Sequence, residues 1–224
     1  MNRPAGMHVE IAGSGLPVVL THGFGDDSST FREQRRALRS HRVCTWDLPA
    51  HGRSGAETEP STRASVLNWL EVAIDRAGPG PVVLVGHSLG GYLSLCRTVL
   101  DPNGIAGLVL IATGPGFRDP AKRDAWNDFV AGFAERHGVP SSAQGICAQP
   151  DGVVIDRLEQ VRVPTLVVVG GDDERYHAGS RVIAGRVPGA RRVEIEGAGH
   201  VPHRTHAEPF NRHLRAFLRR IASA

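Results

Sequence analysis

The hydrophobic positions of this chain fall into short blocks of two kinds. In the first kind several apolar residues, mostly β-branched, follow one another without interruption. Examples are Val18-Val19-Leu20 within Pro17 to Thr21, Val82-Val83-Leu84-Val85, Ile105 to Ala112 and Pro164 to Val169. Runs like these predict strands buried on both faces, as in a parallel sheet, and the Val82 run is expected to stop at Gly86. Arg42 to Trp46 and Arg191 to Ile195 predict two more strands, and the loose alternation of His8 to Gly13 predicts an edge strand. In the second kind the apolar residues recur at helical spacing. Helices are predicted over Thr30 to Arg39, from Ser61 or Thr62 to Arg76, over Leu89 to Leu100, near Tyr176 to Arg186 and over Ala207 to Ile221. Asp26, Asp27, Ser28 and Ser29 supply N-cap chemistry ahead of the first of these.

Strand and helix alternate over most of the chain, which predicts the α/β class: a mostly parallel, doubly wound sheet with helices on both faces. One stretch breaks the rhythm. Residues 114–162 contain no convincing strand, and Asp119 to His137 carries Trp126, Phe129, Val130 and Phe133 at helical spacing. This segment is expected to be a short, mainly helical lid inserted in a single domain of residues 1–224, with an ordinary long crossover as the alternative.

Composition narrows the class further. The 224 residues are 41% hydrophobic and 22% charged, as in ordinary soluble globular proteins. The net charge of +3 comes from scattered arginines without a basic run, so nucleic acid is not an expected partner. No stretch has the length of a membrane span, and MNRPAGMHVE lacks the apolar core of a signal peptide. Cys44, Cys96 and Cys147 are sparse and odd in number, which favours buried free thiols in a reducing cytoplasm over a disulfide framework. The oligomeric state is not legible.

The chemistry is concentrated at strand ends. Gly86-His87-Ser88-Leu89-Gly90 lies between a predicted strand and a predicted helix. This is the G-x-S-x-G pattern, whose sharp turn needs small flanking residues and lifts the serine hydroxyl to a helix N-terminus. In an open parallel sheet, sites form outside the carboxyl ends of the strands. Those ends carry His22-Gly23-Phe24, Asp47, Ser88, Asp173 and His200. A serine, an acid and a histidine form the set that activates a hydroxyl: His200 takes the Ser88 proton, and Asp173 orients the imidazole. Asp172, adjacent, is an alternative acid, and Asp119, beyond the fifth strand, is another. His22, Asp47 and His51 are expected to brace loops. His200, His203 and His206 have suggestive metal spacing, but Pro202 intervenes and no H-E-x-x-H pattern exists. His203 and His206 are therefore expected at the surface or at a helix start, and neither a metal nor a cofactor is expected.

Four motifs in order, HGFG at 22–25, DLPAHGRS at 47–54, GHSLGG at 86–91, and GGDD at 170–173 with GAGH at 197–200, make the chain resemble the α/β-hydrolase fold superfamily, in its lid-bearing serine esterase type. The resemblance covers nearly the whole chain. It implies Ser88 as nucleophile, Asp173 as acid and His200 as base, with the backbone N–H groups of Phe24 and Leu89 as the oxyanion hole. It also implies acyl transfer on a small-molecule ester or lactone through a covalent acyl-enzyme. The same triad in such relatives serves C–C bond hydrolysis, thioester hydrolysis and cofactor-free perhydrolysis, and an idle small-molecule receptor is a further alternative. Aspartate-nucleophile relatives are disfavoured because position 88 is serine. Phe117, Trp126, Phe129 and Phe133 are candidates to line the substrate pocket or to pack the insertion onto the body.

Overall fold

The computed structural model describes residues 6–56 and 60–223. Seven strands form one sheet: β1 (Val9–Ala12), β2 (Pro17–Thr21), β3 (Arg42–Trp46), β4 (Val82–His87), β5 (Ile105–Ile111), β6 (Thr165–Gly170) and β7 (Arg191–Ile195), in the spatial order β1-β3-β2-β4-β5-β6-β7. β1 runs antiparallel to β3 at one edge, and every other neighbouring pair is parallel. Between the strands lie α1 (Arg32–Ala37), α2 (Arg63–Ala77), α3 (Leu89–Leu100), α4 (Pro120–Arg136), α5 (Ser141–Gln144), α6 (Val153–Asp156), α7 (Glu174–Arg186), α8 (Pro202–Thr205) and α9 (Ala207–Ala222). The predicted α/β class and doubly wound sheet are found.

Burial explains the continuous apolar runs. Val82 and Leu84 of β4 enter one core with Trp69 and Leu70 of α2, Leu93 of α3 and Ile183 of α7. Val83 and Val85 enter the opposite core with Phe31, Phe210, Leu214 and Leu218. Successive side chains point to opposite faces of a strand, so a strand covered on both sides needs apolar residues at every position. The four α9 contacts Phe210, Leu214, Phe217 and Leu218 recur along one helix face, and all are buried.

Three expectations need correction. β4 continues through Gly86 to His87, because both residues stay paired with Leu110 and Ile111 of β5. The helix expected over Thr30 to Arg39 is split into a 3₁₀ turn over Ser28–Phe31 and the short α1. The Asp27 side chain accepts from the Ser29 N–H and starts the 3₁₀ turn early, while Thr30 turns inward to bond His203. His203, expected at the surface or at a helix start, lies at the start of α8 but is fully buried. Its ring lies between Phe31 and His87, its Nε2 meets Thr30 Oγ1 at 3.0 Å, and its carbonyl accepts from Gln34. A histidine at a helix start in the sequence thus becomes a core residue through its partners.

Among the described residues no strand lies between β5 and β6, and α4, α5 and α6 occupy this stretch. Of α4 only Val130 and Ala134 are buried. The Trp126 indole N–H donates to the Cys147 carbonyl, and Asn127 accepts from the Gln149 N–H, tying α4 to the chain that follows α5. No helix among the described residues is long and apolar enough to cross a membrane.

Candidate active site

β4 delivers Ser88 to the end of the sheet and α3 begins at the next residue. The Ser88 backbone has φ +50° and ψ −112°, a left-handed conformation that costs an L-residue of order 1–3 kcal/mol. Close backbone contact around this turn accounts for its glycines. A Cβ on Gly86 would lie 2.2 Å from the Gly90 carbonyl oxygen, and one on Gly90 would lie 2.1 Å from that of Thr21. The Ser88 N–H is bound to the Ile111 carbonyl at 2.8 Å, which fixes the turn to β5.

β6 ends at Gly170, and Asp173 precedes the first residue of α7. Although placed as an N-cap, its carboxylate makes no capping bond. It accepts a hydrogen bond from His200 Nδ1 at Oδ2, 2.9 Å away, and is 7% exposed. Because a carboxylate can only accept here, His200 carries a proton on Nδ1, and Nε2 is the ring nitrogen left over from this bond. Asp172, by contrast, is exposed. Asp119 is an exposed cap that accepts from Ala121 at the start of α4.

Ser88, His200, Phe24 and Leu89 border a single cavity of about 650 Å³. Gly23 packs against Ser88, since a Cβ there would lie 3.3 Å from the serine Cβ. This brings the Phe24 strand end beside the serine. Leu89 opens α3, and the first N–H groups of a helix have no acceptor within it. Both residues border the cavity together with Ser88.

The wall opposite the sheet is aromatic. Phe117, Trp126, Phe129 and Phe133 all line the cavity. Trp126 and Phe129 also pack against the larger core. Arg175 places its guanidinium 4.3 Å from the Phe129 ring centre, and His137 stacks on Phe133 at 3.9 Å.

The bracing residues behave as expected. His22 Nδ1 donates to the Gly23 carbonyl at 2.7 Å while its Nε2 accepts from the Leu48 N–H. Asp47 accepts from the Ser28 and Arg53 N–H groups, and His51 Nδ1 bonds the Pro49 carbonyl. Burial, followed by repulsion from His51, lowers the His22 pKa to about 4, so the ring is a neutral brace. The three histidines near the C-terminus diverge: His200 bonds Asp173, His203 bonds Thr30, and His206 bonds Thr205. Among the described residues no three His, Cys, Asp or Glu side chains are grouped to hold a metal ion.

Two side chains that sequence patterns did not single out stand against His200. His87 lies 4.9 Å away, ring centre to ring centre, and its Nε2 donates to the His200 carbonyl at 2.8 Å. Burial, then repulsion from His203 and His200, holds its pKa well below the ordinary histidine value, so it stays neutral. Tyr176 stacks on His200, with ring centres 4.7 Å apart and planes at 22°. The signal for both was sequence proximity: one precedes the serine, and the other lies three residues after the acid.

The alpha/beta hydrolase family model matches residues 18–213, from β2 into α9. The chain belongs to that family. It is 28% identical, over 96% of its length, to part of polyketide synthase ThaQ of Burkholderia thailandensis, and spans 12% of that protein. It is 27% identical to the pimeloyl-[acyl-carrier protein] methyl ester esterase of Xanthomonas campestris pv. campestris, covering 95% of this chain and 98% of the other. Among solved structures it resembles a thermophilic esterase from Thermogutta terrifontis with a TM-score of 0.78 and 25% identity, covering 96% of this chain and 93% of that one.

Proposed function

We propose that this protein is a serine hydrolase that cleaves a small or medium carboxylic ester, or a lactone, through a covalent acyl-enzyme on Ser88. The observation that carries the reading is the 2.9 Å bond from His200 Nδ1 to the buried Asp173 carboxylate, made at the cavity that Ser88 enters on a strained turn. His200 Nε2 removes the Ser88 proton as Oγ adds to the acyl carbon. The carbonyl oxygen takes the charge and is met by the Phe24 and Leu89 N–H groups. The imidazolium then protonates the leaving oxygen, and water activated by His200 reverses the sequence and frees the acid. Asp173 fixes the tautomer and balances the transient positive charge.

The relatives named for ester cleavage agree with this assignment. The half-buried aromatic wall from residues 114–162 fits a lid that covers an apolar acyl group while leaving the cleft open to small substrates. The three buried free thiols fit a reducing cytoplasm, and the partner is the small-molecule substrate itself. Thioester, C–C and perhydrolase chemistry use the same side chains and are separated only by substrate.

The test is a chain-length series of p-nitrophenyl esters together with γ-lactones and acyl thioesters. Wild type is expected to turn over short or medium esters, and Ser88→Ala to lose that activity by at least about 10³-fold. Equal rates in the two proteins would overturn the reading, and turnover confined to thioesters would replace the ester by that alternative.

A further inference from the structure

The cavity that Ser88 enters is aromatic along one wall and unbalanced in charge. Besides histidines, its lining carries three charged side chains, Asp26, Arg175 and Arg204. Asp26 and Arg204 face each other, with Oδ2 and Nη1 3.9 Å apart. Arg175 is the cation left over. Among the described residues no carboxylate or carbonyl accepts from its N–H groups, and its contact is with the Phe129 ring, whose centre lies 4.3 Å from the guanidinium carbon. Its backbone directly precedes Tyr176, the residue stacked on His200, while its side chain meets α4 of the insertion. Between Phe24 and this guanidinium the wall is a continuous row of rings. Phe24 and Phe133 are 6.1 Å apart, Phe133 and Phe129 are 6.2 Å apart, and Arg175 lies on Phe129. An apolar wall with the nucleophile's cavity at one end and an unpaired guanidinium at the other is a shape with a matching ligand.

Resting on the serine-hydrolase reading, we propose that the substrate is an ester carrying one carboxylate remote from the scissile bond, and that Arg175 is the residue that selects it. The methylenes between the two ends lie along Phe133 and Phe129, where their burial from water is favourable. The carboxylate accepts from the guanidinium N–H groups that the protein leaves without an acceptor, in the paired geometry that an arginine fork matches. The Phe129 ring holds the guanidinium in place beforehand, so less side-chain freedom is lost when the carboxylate arrives. One negative charge suits the site, because Arg204 already has its counter-ion in Asp26 and Arg175 has none. The carboxylate can belong to the acid half, as in a half-ester of a diacid, or to the alcohol half, as in an acylated hydroxy acid. The recognition chemistry at Arg175 is the same for both. A cation–π contact that merely latched α4 to α7 would serve every substrate equally, whereas a selector distinguishes charged from neutral ones.

The experiment measures kcat/KM on two matched pairs of esters. Monomethyl adipate is set against methyl adipamate, in which an amide replaces the carboxylate. The acetyl ester of 5-hydroxypentanoate is set against its primary amide, which moves the charge to the alcohol half. Wild type is expected to favour the charged member of at least one pair by about tenfold, mainly through KM, as for one hydrogen bond to a charged group. Salt at about 0.5 M is expected to erode that preference, since Arg175 is exposed. In Arg175→Gln the preference is expected to fall to within about twofold of unity, and Arg175→Lys is expected to keep part of it. Wild type that hydrolyses p-nitrophenyl butyrate but treats both members of each pair alike would overturn the proposal and leave the serine reading intact. So would a preference that survives Arg175→Gln, or equal losses on charged and neutral members, which would make Arg175 a latch. Wild type inactive on all four esters and on p-nitrophenyl butyrate would overturn both readings. The wild-type preference and its salt dependence need no variant to fold.

Discussion

Asp172 and Asp173 are neighbours with the same side chain and opposite environments. Asp172 is exposed, while Asp173 is 7% exposed and bonded to His200. On the serine reading, Asp173→Asn is expected to lower kcat/KM by about 10³- to 10⁴-fold, because an amide N–H facing Nδ1 favours the wrong tautomer. Asp172→Asn is expected to stay within about twofold of wild type. Steady-state kinetics on one ester checks both, and equal losses in the two variants would contradict the assignment. From sequence the choice between them rested on resemblance, because chain order does not say which of two adjacent carboxylates turns inward. His203 is the clearest case of the same limit. Its burial depends on Thr30, Gln34 and Phe31, all far away along the chain.

Elements were legible where local pattern and tertiary environment agree. The uninterrupted apolar runs became strands because helices cover both faces of the sheet. The boundary of β4 was misplaced because glycine reads as a stop, while here it is a point of close approach. The Gly86 and Gly90 positions have backbone, not movable side chains, in the space a Cβ would fill. Gly90→Ala is therefore expected to destabilise the fold by about 3 kcal/mol or more, seen as a lower urea midpoint at unchanged slope. A midpoint equal to wild type would refute the close-packing account of the turn. α4 shows a different compromise. Its helical spacing was readable, but its aromatics stay half-buried because they border a cavity as well as a core. Periodicity cannot distinguish these two surroundings.

At the scale of the whole molecule, burying neutral histidines links stability to pH. Burial is the main cause for each: His22 is lowered to about 4, His203 to about 3, and His87 well below its ordinary value. An unfolded histidine titrates near 6.5, so between that pH and the folded values the unfolded chain binds the extra protons. Stability therefore falls as pH drops below about 6.5, by up to about 1.4 kcal/mol per pH unit for each of these groups. Glu10 acts in a lower window. Hydrogen bonding to Arg53, ahead of that to Arg35, holds its pKa at about 2, so its contribution is lost as pH falls below the ordinary glutamate range. Urea titrations at pH 7, 6, 5 and 4 are expected to show steadily decreasing midpoints, and a flat series from pH 7 to 5 would contradict the neutral-histidine core. The overall frame, a parallel sheet with its chemistry at the strand ends, was readable because the motifs mark the ends of five strands, β2, β3, β4, β6 and β7. The stacking of Tyr176 on His200 was not, because no pattern marks a side chain that packs onto a distant loop. Within this frame the central claim is that Ser88 takes on the acyl group. Its most direct test is rapid acid quench of the protein reacting with p-nitrophenyl acetate, followed by peptide mass mapping. The account predicts an acetyl group on Ser88, formed within the first turnover and absent from Ser88→Ala. Product formation at full rate with Ser88 never acetylated would contradict it.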